Sequence, residues 1–479
     1  MKTEDGGRSK YVSVQGLHDQ SGHERPHFFL TSRRSNPRLL IVFLNIKNWD
    51  VWFMKKRSPM LYVFVAIITA MMFFPNGLYA EPIPVEPLGN PRQVETLSHL
   101  YWITQNPASW SDSFQILADI DASDTENWGL LLPSGNHTGW PPIGNETVPF
   151  TGTFDGRGHG ITGIFIDRFY LGVLDFGFFG FLDNASISNL KLFGVTIRGI
   201  NGVGGLTGIA INGSEIENCH VSGTVFGAYF IGGLIGYLDE SEVKESSSSA
   251  ACTALMVGAG GLLGASSSSL LQNCVAEGPV EALFYAGGLI GIQEEGCSVE
   301  RCCAFGSVNG LYGVGGLCGG MGFGRIVDSY AQGSATGEEA VGGLIGIIGQ
   351  QCEITRCYAS GYLGDCGNAA IDVGGLIGAD DDPGSVITSS YWDIISSGMT
   401  VSAGGQGLPT ERMQTSSSYV GWDFTQTWAI CDGHGYPFLP GVTPDPGPCP
   451  IPALSEWGML ILASVLIFLL MRGRRGWQR

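Results

Sequence analysis

The pentapeptide Gly-Gly-Leu-x-Gly begins at Gly204, Gly232, Gly260, Gly287, Gly315, Gly342 and Gly374, at intervals of 28, 28, 27, 28, 27 and 32 residues. A period of that size marks a repeat architecture, in which each unit buries its apolar face only by stacking on the next. The second half of each unit keeps the same beat. An aliphatic residue, two mostly polar residues and then Cys or Ser recur as Ile216 to Cys219, Val243 to Ser246, Leu271 to Cys274, Val299 to Cys302, Ile326 to Ser329, Ile354 to Cys357 and Ile387 to Ser390. A diverged copy, Gly177-Phe178-Phe179-Gly180 followed by Ile187-Ser188-Asn189-Leu190, is in phase with them. The spacing therefore predicts an all-β solenoid of about eight 27–28-residue coils with capped ends.

Each coil has room for two or three strands of roughly 4–6 residues joined by glycine turns. Glycine is 73 of 479 residues, yet 44% of the chain is hydrophobic, so this is no disordered glycine linker. Each turn calls for positive φ or close backbone approach, both of which glycine allows. The leucines of the pentapeptides (Leu206, Leu234, Leu262, Leu289, Leu317, Leu344, Leu376) are expected to form an inward ladder, each preceded by a structural glycine (Gly205, Gly233, Gly261, Gly288, Gly316, Gly343, Gly375). The serine runs Ser246 to Ser249 and Ser266 to Ser269 read as exposed turns.

Around the repeats the chain divides into further parts. Residues 1–53 carry no repeat. From Met54 a basic start (Lys55-Lys56-Arg57), an apolar run from Leu61 to Phe74 and a small residue at Ala80 make residues 54–80 a signal peptide. Residues 1–53 are then a gene-model artefact or, alternatively, a cytoplasmic extension ahead of a signal anchor; either way the bulk of the chain is exported. Residues 81–170 read as an N-terminal cap and first rung. In them lie a helix over Val94–Trp110, a strand over Phe114–Asp121 and a strand-turn-strand over Phe150–Ile161. The solenoid spans 171–392 and an aromatic-rich C-terminal cap, expected over the last coil, spans 393–442. A Pro-rich linker covers 443–450. Residues 451–479 end the chain with a short apolar run and four arginines, predicting a single C-terminal transmembrane helix with its basic end cytoplasmic.

The formal net charge of -19 argues against nucleic acid as a partner, since phosphates call for Lys and Arg. The twelve cysteines show no zinc-ligand spacing. Four of them (Cys219, Cys274, Cys302, Cys357) alternate with Ser at one repeat position, as a small core residue would. A Cys274–Cys302 disulfide is compatible with stacking on adjacent coils. Cys431 and Cys449 are the better candidates for a bridge.

Two resemblances are specific. The Gly-Gly-Leu-Ile-Gly repeats, with the entry segment Phe150 to Gly160 and the closing segment Tyr391 to Leu439, resemble the GLUG motif of large bacterial and archaeal surface proteins over roughly residues 94–440. That resemblance implies a right-handed β-helix-like solenoid. Some GLUG proteins carry peptidase domains, and nothing in this sequence looks like one. The C-terminus, Ile451-Pro452-Ala453-Leu454-Ser455-Glu456-Trp457-Gly458 followed by an apolar run and arginines, resembles the IPTL-CTERM sorting signal, with Ala453 where the motif has Thr. It implies transit to the cell envelope and processing by an exosortase-like membrane enzyme, through Ile451, Pro452, Leu454, Trp457 and Gly458.

Chemistry is sparse in the repeats. Residues 201–400 hold four basic residues (Lys244, Arg301, Arg325, Arg356) against 21 acidic ones. Arg301 and Arg356 share one repeat position two coils apart. The run Asp380-Asp381-Asp382 is a candidate calcium site, since calcium takes 6–8 oxygens, and Asp119, Asp121 and Asp124 are a weaker one. No cofactor is called for. No Gly-x-Ser-x-Gly elbow and no His-Glu-x-x-His occurs. The expected function is that of an exported, non-enzymatic surface protein engaged in adhesion, matrix building or contact with polysaccharide or protein. The alternative is a carbohydrate-active β-helix enzyme, a polysaccharide lyase or hydrolase.

Overall fold

The computed structural model describes residues 81–131, 135–169, 176–364, 371–381 and 384–443. Every repeat makes one coil with three faces. The strand after each pentapeptide leucine, such as Ile235–Asp239, lies on the first face. The strand carrying the aliphatic residue, such as Glu242–Lys244, lies on the second. The long strand leading into the next pentapeptide, such as Ala251–Gly260, lies on the third. Among the described residues the first face has eight strands, so seven turns separate its first strand from its last, and the second face has eleven. The coil count is thus about seven turns, where the spacing predicted about eight units.

All ladders between coils are parallel and in register with the sequence repeat. Gly204, Gly232, Gly260, Gly287, Gly315, Gly342 and Gly374 pair in succession. So do Ile216, Val243, Leu271, Val299, Ile326, Ile354 and Ile387. A slip of one residue would turn each strand's apolar set outward, so the register is strongly fixed. The ladder leucines are at most 1% exposed, and the turn that holds them is itself bonded coil to coil, Leu234 N–H to Leu262 O at 2.9 Å and Leu289 N–H to Leu317 O at 2.8 Å.

The pentapeptide glycines are explained by crowding alone, because none of them takes positive φ. A Cβ on Gly232 would stand 1.9 Å from the Ile235 carbonyl oxygen, and one on Gly233 2.0 Å from the Ser248 Oγ. At the corner between the second and third faces the left-handed backbone falls on non-glycine residues, among them Asn218 (φ 50), Glu245 (φ 49), Arg301 (φ 53) and Arg356 (φ 52), while glycines outside the pentapeptides, such as Gly202 (φ 58) and Gly258 (φ 75), take it elsewhere in the coils. The serine runs are a second correction. Ser246, Ser248, Ser266, Ser267 and Ser269 are 0–4% exposed rather than in open turns. A hydroxyl can be buried there because it is doubly bonded. Ser246 Oγ donates to Lys244 O at 2.8 Å and accepts the Cys219 N–H at 3.1 Å.

That arrangement repeats as a polar thread inside the coil. Cys274 N–H reaches the Cys302 Sγ at 3.4 Å, Cys302 N–H the Ser329 Oγ at 3.1 Å and Cys357 N–H the Ser390 Oγ at 3.2 Å. Cys274 and Cys302 are both free thiols, so no disulfide joins them. A parallel thread, two residues before each aliphatic position, links Ala185 N–H to Ser214 Oγ (3.2 Å), Ser214 N–H to Ser241 Oγ and Ser241 N–H to Ser269 Oγ (both 3.1 Å).

At the N-terminal end the helix is Leu97–Gln105, shorter than the stretch that suggested it, and starts at Thr96, whose hydroxyl accepts the His99 N–H. The segment around Phe114–Asp121 bends between two faces, as Ser113–Ile116 and Ile120–Asp121. The turn at Asp155-Gly156 is likewise a coil corner: Thr153–Asp155 pairs with Ser186–Ser188 and Gly160–Thr162 with Lys191–Phe193, both in parallel. Trp110, Trp128 and Trp140 are buried, and the Trp140 ring stacks on Phe178 at 5.3 Å. Among the described residues no helix is long and apolar enough to cross a membrane. The expected C-terminal helix, residues 451–479, lies outside them.

Candidate functional site

The edge between the second and third faces differs along its length. One column of outward residues on the third face runs Lys191, His220, Ser247, Val275, Cys303, Tyr330, Tyr358, Tyr391, each paired in register with the next. Its first three members are polar and half-buried, whereas the last five are buried. What covers them is the segment after the last coil. Met413, Tyr419, Trp422, Trp428 and Leu439 pack on Val275, Cys303, Tyr330, Tyr358 and Tyr391 in a cluster of their own, outside the coil. The aromatic residues expected over the last coil thus form a strap along the flank. The open end is closed mainly by residues 401–408: Ser402 Oγ accepts the Leu376 and Ile377 N–H groups, and Gln406–Leu408 pairs with Tyr391–Asp393.

The strap is held by rings and by ties to the corner. Tyr330 and Tyr358 stack at 4.9 Å, Trp428 lies 5.9 and 6.1 Å from them, and Trp422 lies 4.3 Å from Trp428. Trp428 Nε1 donates to Asp328 Oδ1 at 3.1 Å, Trp422 Nε1 to Ser389 O at 2.7 Å and Tyr358 OH to Pro437 O at 2.7 Å. Arg301 donates to Thr427 O (3.2 Å) and Pro440 O (3.3 Å). Arg356 makes two 2.7 Å bonds to the Asp328 carboxylate, a forked pair that holds the guanidinium charged. The basic ladder visible in the sequence therefore fastens the strap and the corner.

The corner residues form an external polar ladder. Asn189 Nδ2 donates to Asp155 Oδ1 (3.0 Å), Asn218 Nδ2 to Asn189 Oδ1 (2.8 Å) and Arg301 Nε to Asn273 Oδ1 (2.9 Å). Between Asn218 and Asn273 stands the exposed Glu245. There, where the strap runs out at Pro440, Gly441 and Val442, a cleft of about 430 Å³ opens, bordered by Asn218, Glu245, Ser247, Asn273 and Arg301. The amide half of this ladder was not read from the sequence. Its signal was present as Asn189, Asn218 and Asn273 at one repeat position, two residues after the aliphatic one.

The other candidates separate. Asp380 ends a strand, Asp381 is exposed with its N–H on Ile348 O at 3.0 Å, and Asp382 lies outside the described residues. Among the described residues no group of three or more His, Cys, Asp or Glu is placed to hold a metal ion. Asp119 caps the corner at Gly160, whose N–H it accepts at 2.9 Å; that bond, with His159 behind it, holds its carboxyl below the usual range. Asp121 accepts the Ser123 N–H, also with a lowered pKa. Both serve turns. A pair the sequence did not single out is Asp239 and Glu294, on either side of the Ser267 rung of the first face. Burial, then the Asp239 charge, pushes the Glu294 carboxyl up to about 7, and burial raises Asp239 as well. Among the described residues nine cysteines are buried as thiols, with the Cys219 thiol pushed up to about 12 by burial. Cys431 is disulfide-bonded, whereas Cys449 lies outside the described residues. So do the sorting-motif residues Ile451, Pro452, Leu454, Trp457 and Gly458.

Comparison with known proteins agrees with the repeat. Residues 199–225 and 337–361 match the model of the GLUG motif, so the chain carries GLUG repeats. Halomucin of Haloquadratum walsbyi is 35% identical over 171 residues, which are 34% of this chain and 2% of that protein. A protein of Evansella cellulosilytica described as a Gly-rich membrane protein is 38% identical over 125 residues, 25% of this chain and 13% of that one. An immunoglobulin A1 protease of Streptococcus pneumoniae is 39% identical over 66 residues, 14% and 3%. The chain spans only a small part of the length of these relatives. A solved structure from Bacteroides ovatus, described as an immunoglobulin A1 protease, shares 22% identity with a TM-score of 0.42, over 73% of this chain and 92% of that one.

Proposed function

We propose that the chain is an exported β-solenoid, displayed at or released from the cell surface, whose uncovered flank makes contacts of adhesion, matrix assembly or carbohydrate binding without chemistry of its own. The observation that carries this reading is the contrast along one edge: the strap buries the column over five coils, from Val275 to Tyr391, and leaves the polar coils open. A solenoid that served only as a spacer would have no need of a one-sided cover. Export is supported by the signal-like residues 54–80 and by the likeness to an Evansella protein described as a membrane protein. The segment 451–479 would then be the sorting signal, acted on by an exosortase-like enzyme, and calcium at Asp380–Asp382 remains a proposal of the sequence. Two experiments test the reading. A glycan array probed with the full chain should show saccharide binding, and a blank array would sink carbohydrate contact. Deleting residues 451–479 should release the protein from the envelope fraction; retention would show that some other segment anchors it.

One observation favours an enzyme. Asp239 and Glu294 stand two coils apart on the first face, and burial raises both carboxyls, Glu294 up to about 7, as the acid of a carbohydrate-active enzyme would require. No Lys or Arg is among the groups that set either carboxyl. Polysaccharide hydrolysis or elimination by the wild type, abolished in Glu294→Gln, would establish this reading over the first.

A further inference from the structure

The cleft at the end of the strap has a composition that selects its ligand. Its charged members are Glu245 and Arg301, one of each sign, so a strongly anionic or cationic guest meets repulsion from one of them. Among the described residues the Glu245 side chain has no hydrogen-bond or ion-pair partner, unlike its neighbours on the ladder. Asn218 uses its amide N–H on Asn189 and Asn273 its carbonyl on Arg301. What each has left is complementary: a carbonyl acceptor from Asn218, an amide donor from Asn273. Arg301 uses Nε, Nη1 and Nη2 once each, leaving two of its five N–H groups. Val275, Pro440 and Val442 add apolar wall. A volume of about 430 Å³ is at the small end of the range for small-molecule clefts, roughly 300–1,000 Å³.

We propose that this cleft binds one neutral sugar unit, as a chain end or side branch of a polysaccharide, through Asn218, Glu245, Asn273 and Arg301. Adjacent hydroxyls both donate and accept, which suits a carboxylate acceptor, an amide of each polarity and a guanidinium set at successive rungs roughly 4.8 Å apart. The apolar wall takes the C–H face of the ring. The strap closes one side, so an internal unit of a long polymer fits less well than a terminal one. The proposal rests on the reading of the open flank as a contact surface and places that contact at one address.

The test uses the full chain with methyl glycosides of glucose, galactose, mannose and N-acetylglucosamine in saturation-transfer NMR, alongside the glycan array. At least one glycoside should give saturation transfer. Glu245→Gln removes the unpaired carboxylate and Ser247→Phe fills the cleft; each should lower binding tenfold or more, with the thermal midpoint unchanged. Exposed Glu217→Gln, on the neighbouring face, should bind as wild type. If array binding persists undiminished in both cleft variants, the site is wrong while the contact reading stands. If the wild type binds no saccharide in either assay, carbohydrate contact and the site fall together, and adhesion or matrix assembly through protein is what is left of the contact reading.

Discussion

The two halves of one edge share a backbone and differ in what they do with it. In the N-terminal coils the corner and the column beside it are Asn218, Glu245, His220 and Ser247, open to water. In the C-terminal coils the same positions are Arg301, Asp328, Arg356, Tyr330 and Tyr358, and the strap lies on them. The difference teaches that a solenoid's repeat sets only the inward positions. Its outward positions are free to be reassigned coil by coil, and here one stretch has become an internal docking surface for the chain's own end. It follows that the two halves should respond differently to mutation.

The largest effect should come from Trp428→Ala. This side chain is 2% exposed, packs on three aromatic rings and ties to Asp328. Truncating a buried tryptophan costs about 3–5 kcal/mol. Calorimetry should show the loss, and hydrogen exchange should place it: amides of Tyr330, Tyr358 and Tyr391 should lose protection, while those of Ile216 and Val243 keep theirs. Uniform loss over all coils would mean that the strap and the rod unfold as one unit and that the two halves are not separable.

Arg356→Met comes next. It keeps the apolar stem and removes the fork on Asp328, whose side chain is only 14% exposed. Hydrogen bonds to charged groups are worth about 1.5–3 kcal/mol, which is the expected loss in a urea titration. Trp428 still donates to Asp328, so the carboxylate is not stranded; a loss above that range would mean the whole strap had come away.

Which of these features the sequence disclosed follows from periodicity. The leucine ladder, the two or three strands of each coil and the small Cys/Ser core position were legible because the same residue types return at the same position, and inward positions have no freedom. The strap was half legible: its aromatic residues announced something buried, but Tyr330, Tyr358 and Tyr391 repeat only where the strap covers them, and their partners Trp422 and Trp428 lie 30 to 100 residues away in sequence. Serine was misread at Ser246 and Ser269 because polarity suggested water, when each hydroxyl is satisfied by backbone on its own and neighbouring coils. Glycine was legible as the residue of close backbone approach, which Gly232 and Gly233 show, whereas the left-handed corners at Glu245 and Arg301 had no glycine to announce them. The cleft was hidden because it joins positions 218–301 to 440–442, and no local pattern records that approach.

A smaller effect, away from the strap, concerns Glu294. Its carboxyl is raised from 4.5 to about 7, so the folded state holds the proton more tightly than the unfolded one. The sign follows: between these values the native state binds more protons, and stability falls as pH rises from about 4.5 to 7. Glu294→Gln removes that penalty. The group is partly exposed, so solvent screening reduces it to on the order of 1 kcal/mol. The variant should match wild type at pH 4 and melt higher at pH 8. Equal melting points at pH 8 would show that the carboxyl ionises without cost and would remove the ground for an enzymatic acid.

The smallest effect is expected at the bare corner itself, in Glu245→Gly. Glu245 has φ 49, a left-handed conformation that glycine adopts without strain and that costs an L-residue about 1–2 kcal/mol. Against that gain, glycine raises the entropy of the unfolded chain by about 0.4–1 kcal/mol. The exposed carboxylate has no partner to lose. The two terms nearly cancel, leaving a change within about 1 kcal/mol and tending to stabilise. Arg301→Gly, at the equivalent corner with φ 53, enjoys the same backbone relief but forfeits its bonds to Asn273, Thr427 and Pro440, so it should destabilise. Melting curves of the two variants thus compare identical backbone changes on the open and the strapped half. A glycine that destabilises both corners equally would place the cost in the coil corner itself and erase the distinction between the halves.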